Sequence, residues 1–159
     1  MRQKTMIAVI GAGKASAAGA KMACQVGRLI AENDAVLVCG GLGGVMEAAA
    51  KGCVEAGGDV IGVLPGPSAK MANPYVTLPI VTNMGHARNV IIAHTADVLI
   101  AIEGEYGTLS EMAISLKLGK TVIQLNSWQE MTATLTASSP DEAVALALKA
   151  IEEGDGNNV

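Results

Sequence analysis

Five short runs of this chain are apolar at nearly every position: Met6–Ile10, Val36–Cys39, Val60–Leu64, Val98–Ile102 and Thr121–Leu125. A strand with one wet face alternates apolar and polar residues, so runs without alternation belong in a sheet covered on both faces. Stretches of helical spacing separate them, near Ala15–Glu32, Gly44–Ala56, Gly85–Ala96 and Thr108–Leu118. A last helix is expected from Ser139-Pro140-Asp141-Glu142, with Ser139 as cap, Pro140 at the first helical position and Glu142 closing a capping box. This order predicts an α/β fold: a Rossmann-like, doubly wound, mostly parallel sheet with helices on both faces. At 159 residues the chain suits one domain, so residues 1–159 are expected to form a single Rossmann-like nucleotide-binding domain. The segment from Ser68 to Thr82 fits neither pattern and reads as an irregular loop, a lid or part of an interface.

In such sheets ligands bind beyond the carboxyl ends of the strands, near the point where strand order reverses. Here those ends carry glycines: Gly11 and Gly13, then Gly40, Gly41, Gly43 and Gly44, then Gly66, then Gly104 and Gly107. Every turn favours glycine, but four glycine-rich loops on one rim point to a phosphate-bearing ligand. The standard fingerprints fail. Gly11-Ala12-Gly13-Lys14-Ala15-Ser16 lacks the third glycine of a dinucleotide motif, and no acidic residue follows Cys39 to hold a ribose. A P-loop would need glycine at Ala8 and a hydroxyl residue at Ala15. Lys14 is either a phosphate contact or a solvated surface lysine.

The segment Glu103-Gly104-Glu105-Tyr106-Gly107-Thr108-Leu109-Ser110-Glu111 runs from a strand into a helix and carries two readings. As a helix start it offers free N–H groups and a partial positive charge to an anion, with Glu111 as an acid, base or charge stabiliser. As a capping box, the Thr108 hydroxyl and the Glu111 carboxylate satisfy the helix end themselves, the commoner use of this pattern. Arg88 tips the balance toward function. It shares a helix face with Met84, Ile91, Ile92 and Thr95, close to a helix N-terminus where a cation opposes the macrodipole. An arginine there needs a partner anion or a path to solvent. The helix from Thr108 carries one apolar stripe (Leu109, Met112, Ala113, Leu116) and a second (Ile114, Leu118) beside Glu111, which predicts a homodimer contact along it.

Composition narrows the classes. The net charge of −4 and the absence of a basic block argue against binding nucleic acid polymers. Cys24, Cys39 and Cys53 form no CxxC pair, and with His86 and His94 they have no zinc-site spacing, so no metal is expected. They read as reduced thiols of a cytoplasmic protein. The apolar run after the basic start is too short for a signal peptide, and no run suffices to span a bilayer. Half the residues are hydrophobic and 16% are charged, which leaves apolar surface for a partner subunit to cover.

Gly40-Gly41-Leu42-Gly43-Gly44-Val45-Met46, His86-Ala87-Arg88-Asn89 and Tyr106-Gly107-Thr108-Leu109-Ser110-Glu111 resemble, in order and spacing, the motifs of the LOG (Lonely guy) superfamily, often mislabelled as lysine decarboxylase. The resemblance covers about Met6 to Leu125. It implies a Rossmann-like fold, dimers or larger homo-oligomers, and hydrolysis of the N-glycosidic bond of nucleoside 5′-monophosphates. By the match, Arg88 and Glu111 fall on the family's catalytic pair. Gly107 and Thr108 fall on its phosphate-binding turn, and Gly40, Gly41 and Gly44 on its first glycine loop. Gly11, Gly13 and Gly104 complete the expected ligand-binding set. Active members read Pro-Gly-Gly-x-Gly-Thr at the phosphate turn, whereas this chain has Glu103 for the proline and Glu105 for the second glycine, and Asn89 stands where lysine usually follows the arginine. Those carboxylates are expected to repel a phosphate, and Glu105 to restrict the turn. The departures resemble the short bacterial branch that includes molybdenum-cofactor-carrier-like proteins. The reading is therefore a binder of a small phosphorylated, nucleotide-like ligand and a phosphoribohydrolase that requires no cofactor. Its alternative is a non-catalytic carrier or sensor of molybdenum cofactor or another phosphorylated ligand. A lysine decarboxylase is not supported, since nothing marks a Schiff-base lysine.

Overall fold

The structure, a computed structural model, describes residues 3–155. Seven parallel strands form one sheet in the order β4-β3-β2-β1-β5-β6-β7. The strands are β1 (Met6–Gly11), β2 (Val36–Cys39), β3 (Val60–Leu64), β4 (Leu78–Val81), β5 (Val98–Ile102), β6 (Val122–Leu125) and β7 (Leu135–Thr136). The helices are α1 (Ala17–Glu32), α2 (Val45–Glu55), α3 (Arg88–Thr95), α4 (Tyr106–Lys117) and α5 (Pro140–Asp155).

The five apolar runs form β1, β2, β3, β5 and β6, because each is buried on both faces. On β1, Ile7 and Val9 face a layer made by α1, α2 and α5, while Ala8 and Ile10 face α3 and α4. In the first layer α1 and α2 touch backbone to backbone. A Cβ at Gly27 would land on the Ala49 carbonyl, and one at Gly52 on the Cys24 carbonyl. Strand order reverses at β1, with β2, β3 and β4 on one side and β5, β6 and β7 on the other. A crevice therefore opens above the carboxyl ends of β1 and β5.

Three local expectations need correction. The segment from Ser68 to Thr82 is not wholly irregular: it holds a 3₁₀ turn at Ala69–Met71 and then β4. β4 is an edge strand, so Pro79 breaks no ladder on its free side, and its four exposed side chains give no buried run to recognise. α4 begins at Tyr106 with Glu105 as N-cap, two residues before the expected start, so Thr108 and Glu111 do not form a capping box. At α5 the Ser139 hydroxyl does accept the Glu142 N–H at 3.2 Å. Glu142, however, reaches one residue further back than a standard box, to the N–H of Ser138 at 2.7 Å.

Candidate ligand-binding site

A cavity of about 560 Å³ occupies the crevice, within the range of small-molecule sites. Four loops build it. The turn after β1 contributes Gly11, Gly13 and Lys14, and the turn after β2 contributes Gly40 with Met46 behind it. The approach to α3 adds His86, Arg88 and Asn89, and the start of α4 adds Glu105, Gly107, Thr108 and Glu111.

Arg88 is the first residue of α3, directly after a 3₁₀ turn at Gly85–Ala87, and it is 8% exposed. Its guanidinium lies across Gly40, where a Cβ would meet the Nη1 atom, so the glycine leaves room for the arginine. Burial pulls the guanidinium pKa down, against the pull of Glu111 and Cys39. Beneath it the buried Cys39 thiol is pushed up to about 12, chiefly by burial. Arg88 takes part in none of the ion pairs among the described residues, all of which join exposed side chains elsewhere. The carboxyl whose charge is felt at Arg88 is Glu111, which burial keeps partly protonated near pH 7, so the guanidinium lacks a full counter-charge.

Glu111 lies one turn into α4 and is 7% exposed. Burial raises its carboxyl to about 7, with Arg88 opposing the rise. It shares the buried face of α4 with Thr108, Met112 and Ser115. This corrects the expected stripes: Glu111 points into the protein, Ala113 is exposed and Leu118 lies at the surface. Glu111 and Arg88 thus line one cavity from different helices.

The N-terminus of α4 is open. The Glu105 side chain caps nothing, and the N–H groups of Tyr106, Gly107 and Thr108 find no acceptor among the described residues. The turn itself is braced. Ser110 donates to the Gly107 carbonyl at 2.7 Å, and Asn89 donates to Ser110 at 3.1 Å. From outside, the Trp128 indole donates to the Glu105 carbonyl at 3.3 Å. Asn89, at the position of the family's lysine, therefore ties α3 to α4.

The two glutamates part company. Glu105 lines the cavity, and its φ of −118° is ordinary extended backbone, so it does not restrict the turn as expected. Glu103 is the residue in the left-handed region, at φ 53°. Its carboxylate points out of the ligand cavity and takes the Ser16 N–H at 3.1 Å and the Ser16 hydroxyl.

Of the expected site residues, Arg88, Glu111, Gly11, Gly13, Gly40, Gly107 and Thr108 line the cavity, and three do not. Gly41 packs against Leu64 and Gly62, and Gly44 closes against the Ala12 carbonyl at the start of α2. Gly104 lies under the Thr108 side chain and opens to a smaller hollow beside Glu103 and Trp128. Ile10 joins the cavity without a prior signal, and Met46 and His86 join it from two of the motifs above, which gave them no role. Only the crossing of loops distant in sequence brings them there.

An open parallel α/β sheet with a cavity lined by Arg88 and Glu111 at its switch point defines the class. The chain matches the SLOG cluster4 family over residues 4–153 and belongs to it, with a LOG-like fold. An uncharacterised protein of Archaeoglobus fulgidus is 48% identical over 138 residues, spanning 87% of this chain and 91% of that one. The molybdenum cofactor binding protein of Rippkaea orientalis superposes with a TM-score of 0.91 at 39% identity, covering 95% of this chain and 99% of that one. The Moco carrier protein of Chlamydomonas reinhardtii gives 0.87 at 34% identity, covering 95% and 99%.

Proposed function

We propose that the chain is a carrier of a small phosphorylated ligand, a phosphorylated pterin of the molybdenum-cofactor type, and that it works as a single domain in the cytoplasm. One observation carries the reading. The free N–H groups of α4 and the buried Arg88, which takes part in none of the ion pairs among the described residues, open onto the same cavity. A helix N-terminus of this kind holds a phosphate through backbone N–H groups and the helix dipole. Arg88 supplies a fixed cation, and the cavity above Gly40 and Met46 leaves room for a flat ring. Gly11, Gly13, Gly107 and Thr108 are the proposed contacts, and Gly40 the residue that admits the arginine. The likeness to molybdenum-cofactor proteins supports the choice of ligand.

The test is to purify the chain from a host that makes the cofactor and to release bound pterin by oxidation, reading its fluorescence. Wild type is expected to carry pterin and Arg88→Ala to carry little. Equal, background-level pterin in both would overturn the reading.

A second reading rests on Glu111. A buried carboxyl near pH 7 beside an arginine suits cleavage of a nucleoside 5′-monophosphate at its N-glycosidic bond. There the ionised carboxylate would stabilise the oxocarbenium-like ribose or take a proton from the attacking water as the base departs. Free-base release from a panel of nucleoside 5′-monophosphates, lost in Glu111→Ala, would establish it. No release from any of them would leave the carrier.

A further inference from the structure

Arg88 and Glu111 line the cavity from nine-tenths burial, one on α3 and one on α4. Buried ionisable groups are ordinarily paired and hydrogen-bonded. Among the described residues neither side chain belongs to an ion pair. Glu111 accepts the Ser115 hydroxyl at 2.7 Å, but through its backbone carbonyl, and its carboxyl has no hydrogen-bond partner there. The free ends of both side chains are not sealed in. The one enclosed side-chain atom without a partner among the described residues is Oε1 of Gln124, on β6. The carboxyl of Glu111 and the guanidinium of Arg88 therefore face the space that they line.

Burial favours the neutral form of a carboxyl, and a neighbouring cation favours the ionised form. At Glu111 burial is the larger influence, with Arg88 opposing it. While Glu111 keeps its proton the pair carries one positive charge, and once it ionises the pair carries none. An anion entering the cavity then competes with the carboxylate for a single guanidinium, in surroundings that screen the contest poorly.

The neighbouring groups leave this balance to the pair. Lys14, His86 and Glu105 also line the cavity, but all three are exposed to solvent. Behind Arg88 the Cys39 thiol keeps its proton, because burial pushes it up to about 12. The strands packed against α4, which are β1, β5 and β6, carry no titratable side chain. Besides Arg88, α3 offers only His94, exposed in its last turn.

We infer that Glu111 is the proton partner of the anion site: the cavity takes up an anion and a proton together, holding the anion while Glu111 is neutral and releasing it when Glu111 ionises. The coupling rests on the cavity being an anion site, as proposed above. By linkage it is reciprocal, so the bound anion also holds the proton on Glu111 and the two leave together.

Sulfate is the probe, because it keeps both charges across the neutral range and brings no titration of its own. Calorimetry at about pH 6 and about pH 8.5 should show wild type weakening about tenfold or more at the higher value. Glu111→Gln, neutral at both, should bind sulfate equally well at both. His86 is the other cavity side chain of a type that titrates near neutrality, and His86→Gln should keep the wild-type fall. At about pH 7.5, in two buffers of different ionisation enthalpy, sulfate binding to wild type should take up most of one proton, and binding to Glu111→Gln none.

Equal wild-type affinity at both values overturns the coupling and leaves the anion site standing. So does a fall that persists in Glu111→Gln or disappears in His86→Gln. If Glu111→Gln does not fold, proton uptake that persists in His86→Gln supports the coupling and its absence overturns it. Sulfate that binds wild type at neither value overturns the anion site, and the coupling with it.

Discussion

Glu111 lies in a place that a protein built only for stability would not give a carboxylate. Unfolded, the group ionises near 4.5; folded, it holds its proton up to about pH 7. Between these values the folded state binds more protons, so stability falls as pH rises through the window and stays low above it. The shift corresponds to a cost on the order of 3 kcal/mol at pH 8. Glu111→Gln should therefore raise the unfolding free energy at pH 8 by up to about that amount and change it little near pH 4.5, read by denaturant melts at both values. A gain independent of pH would contradict the burial argument. Gly40 makes the opposite case. An added methyl meets the far end of the Arg88 side chain and the Met46 sulfur, not backbone. Gly40→Ala is expected to change stability by less than about 1 kcal/mol yet to weaken ligand binding about tenfold or more, by turning the guanidinium aside.

At the scale of elements, α1 and α2 meet without side chains between them, and that contact does not yield. Gly27→Ala or Gly52→Ala drives a methyl into a carbonyl and should destabilise by about 1–3 kcal/mol or more, measured by urea unfolding. What the sequence could and could not reveal divides along the same lines. The strands β1, β2, β3, β5 and β6 were legible because burial on both faces leaves an unbroken apolar run. β4 was not, since an edge strand with Pro79 and four exposed residues lacks that mark. β7 is two residues long and equally exposed. The cavity pair Arg88 and Glu111 was visible as polar groups on apolar faces, but the capping pattern at Thr108 and Glu111 was misleading. Whether a carboxylate turns to its own helix end or inward depends on the neighbouring helix. The different fates of Glu103 and Glu105 were hidden for a related reason: a left-handed glutamate is set by Asn126, Ser127 and Ser16, all distant in sequence.

For the whole molecule, part of the exposed apolar surface lies along one sheet edge. Leu78, Ile80 and Val81 are 52%, 43% and 45% exposed on β4, an uncovered edge strand. A homodimer or larger homo-oligomer is expected, with this edge in the contact instead of α4 alone, where Ile114 is half-buried. Light scattering should give a mass above one chain, and Ile80→Lys should lower it; a single-chain mass for wild type at micromolar concentration would contradict this. The bridge from Glu103 to the start of α1 has a consequence for descent. A Cβ on Gly19 would strike the Glu103 carboxylate, so positions 19 and 103 are parts of one lock and neither is free to drift by itself. A lineage that first gained a side chain at 19 would find its carboxylate evicted. One that first lost the carboxylate would leave a helix end open to whatever anion the cell offers. Related chains should therefore change the two together.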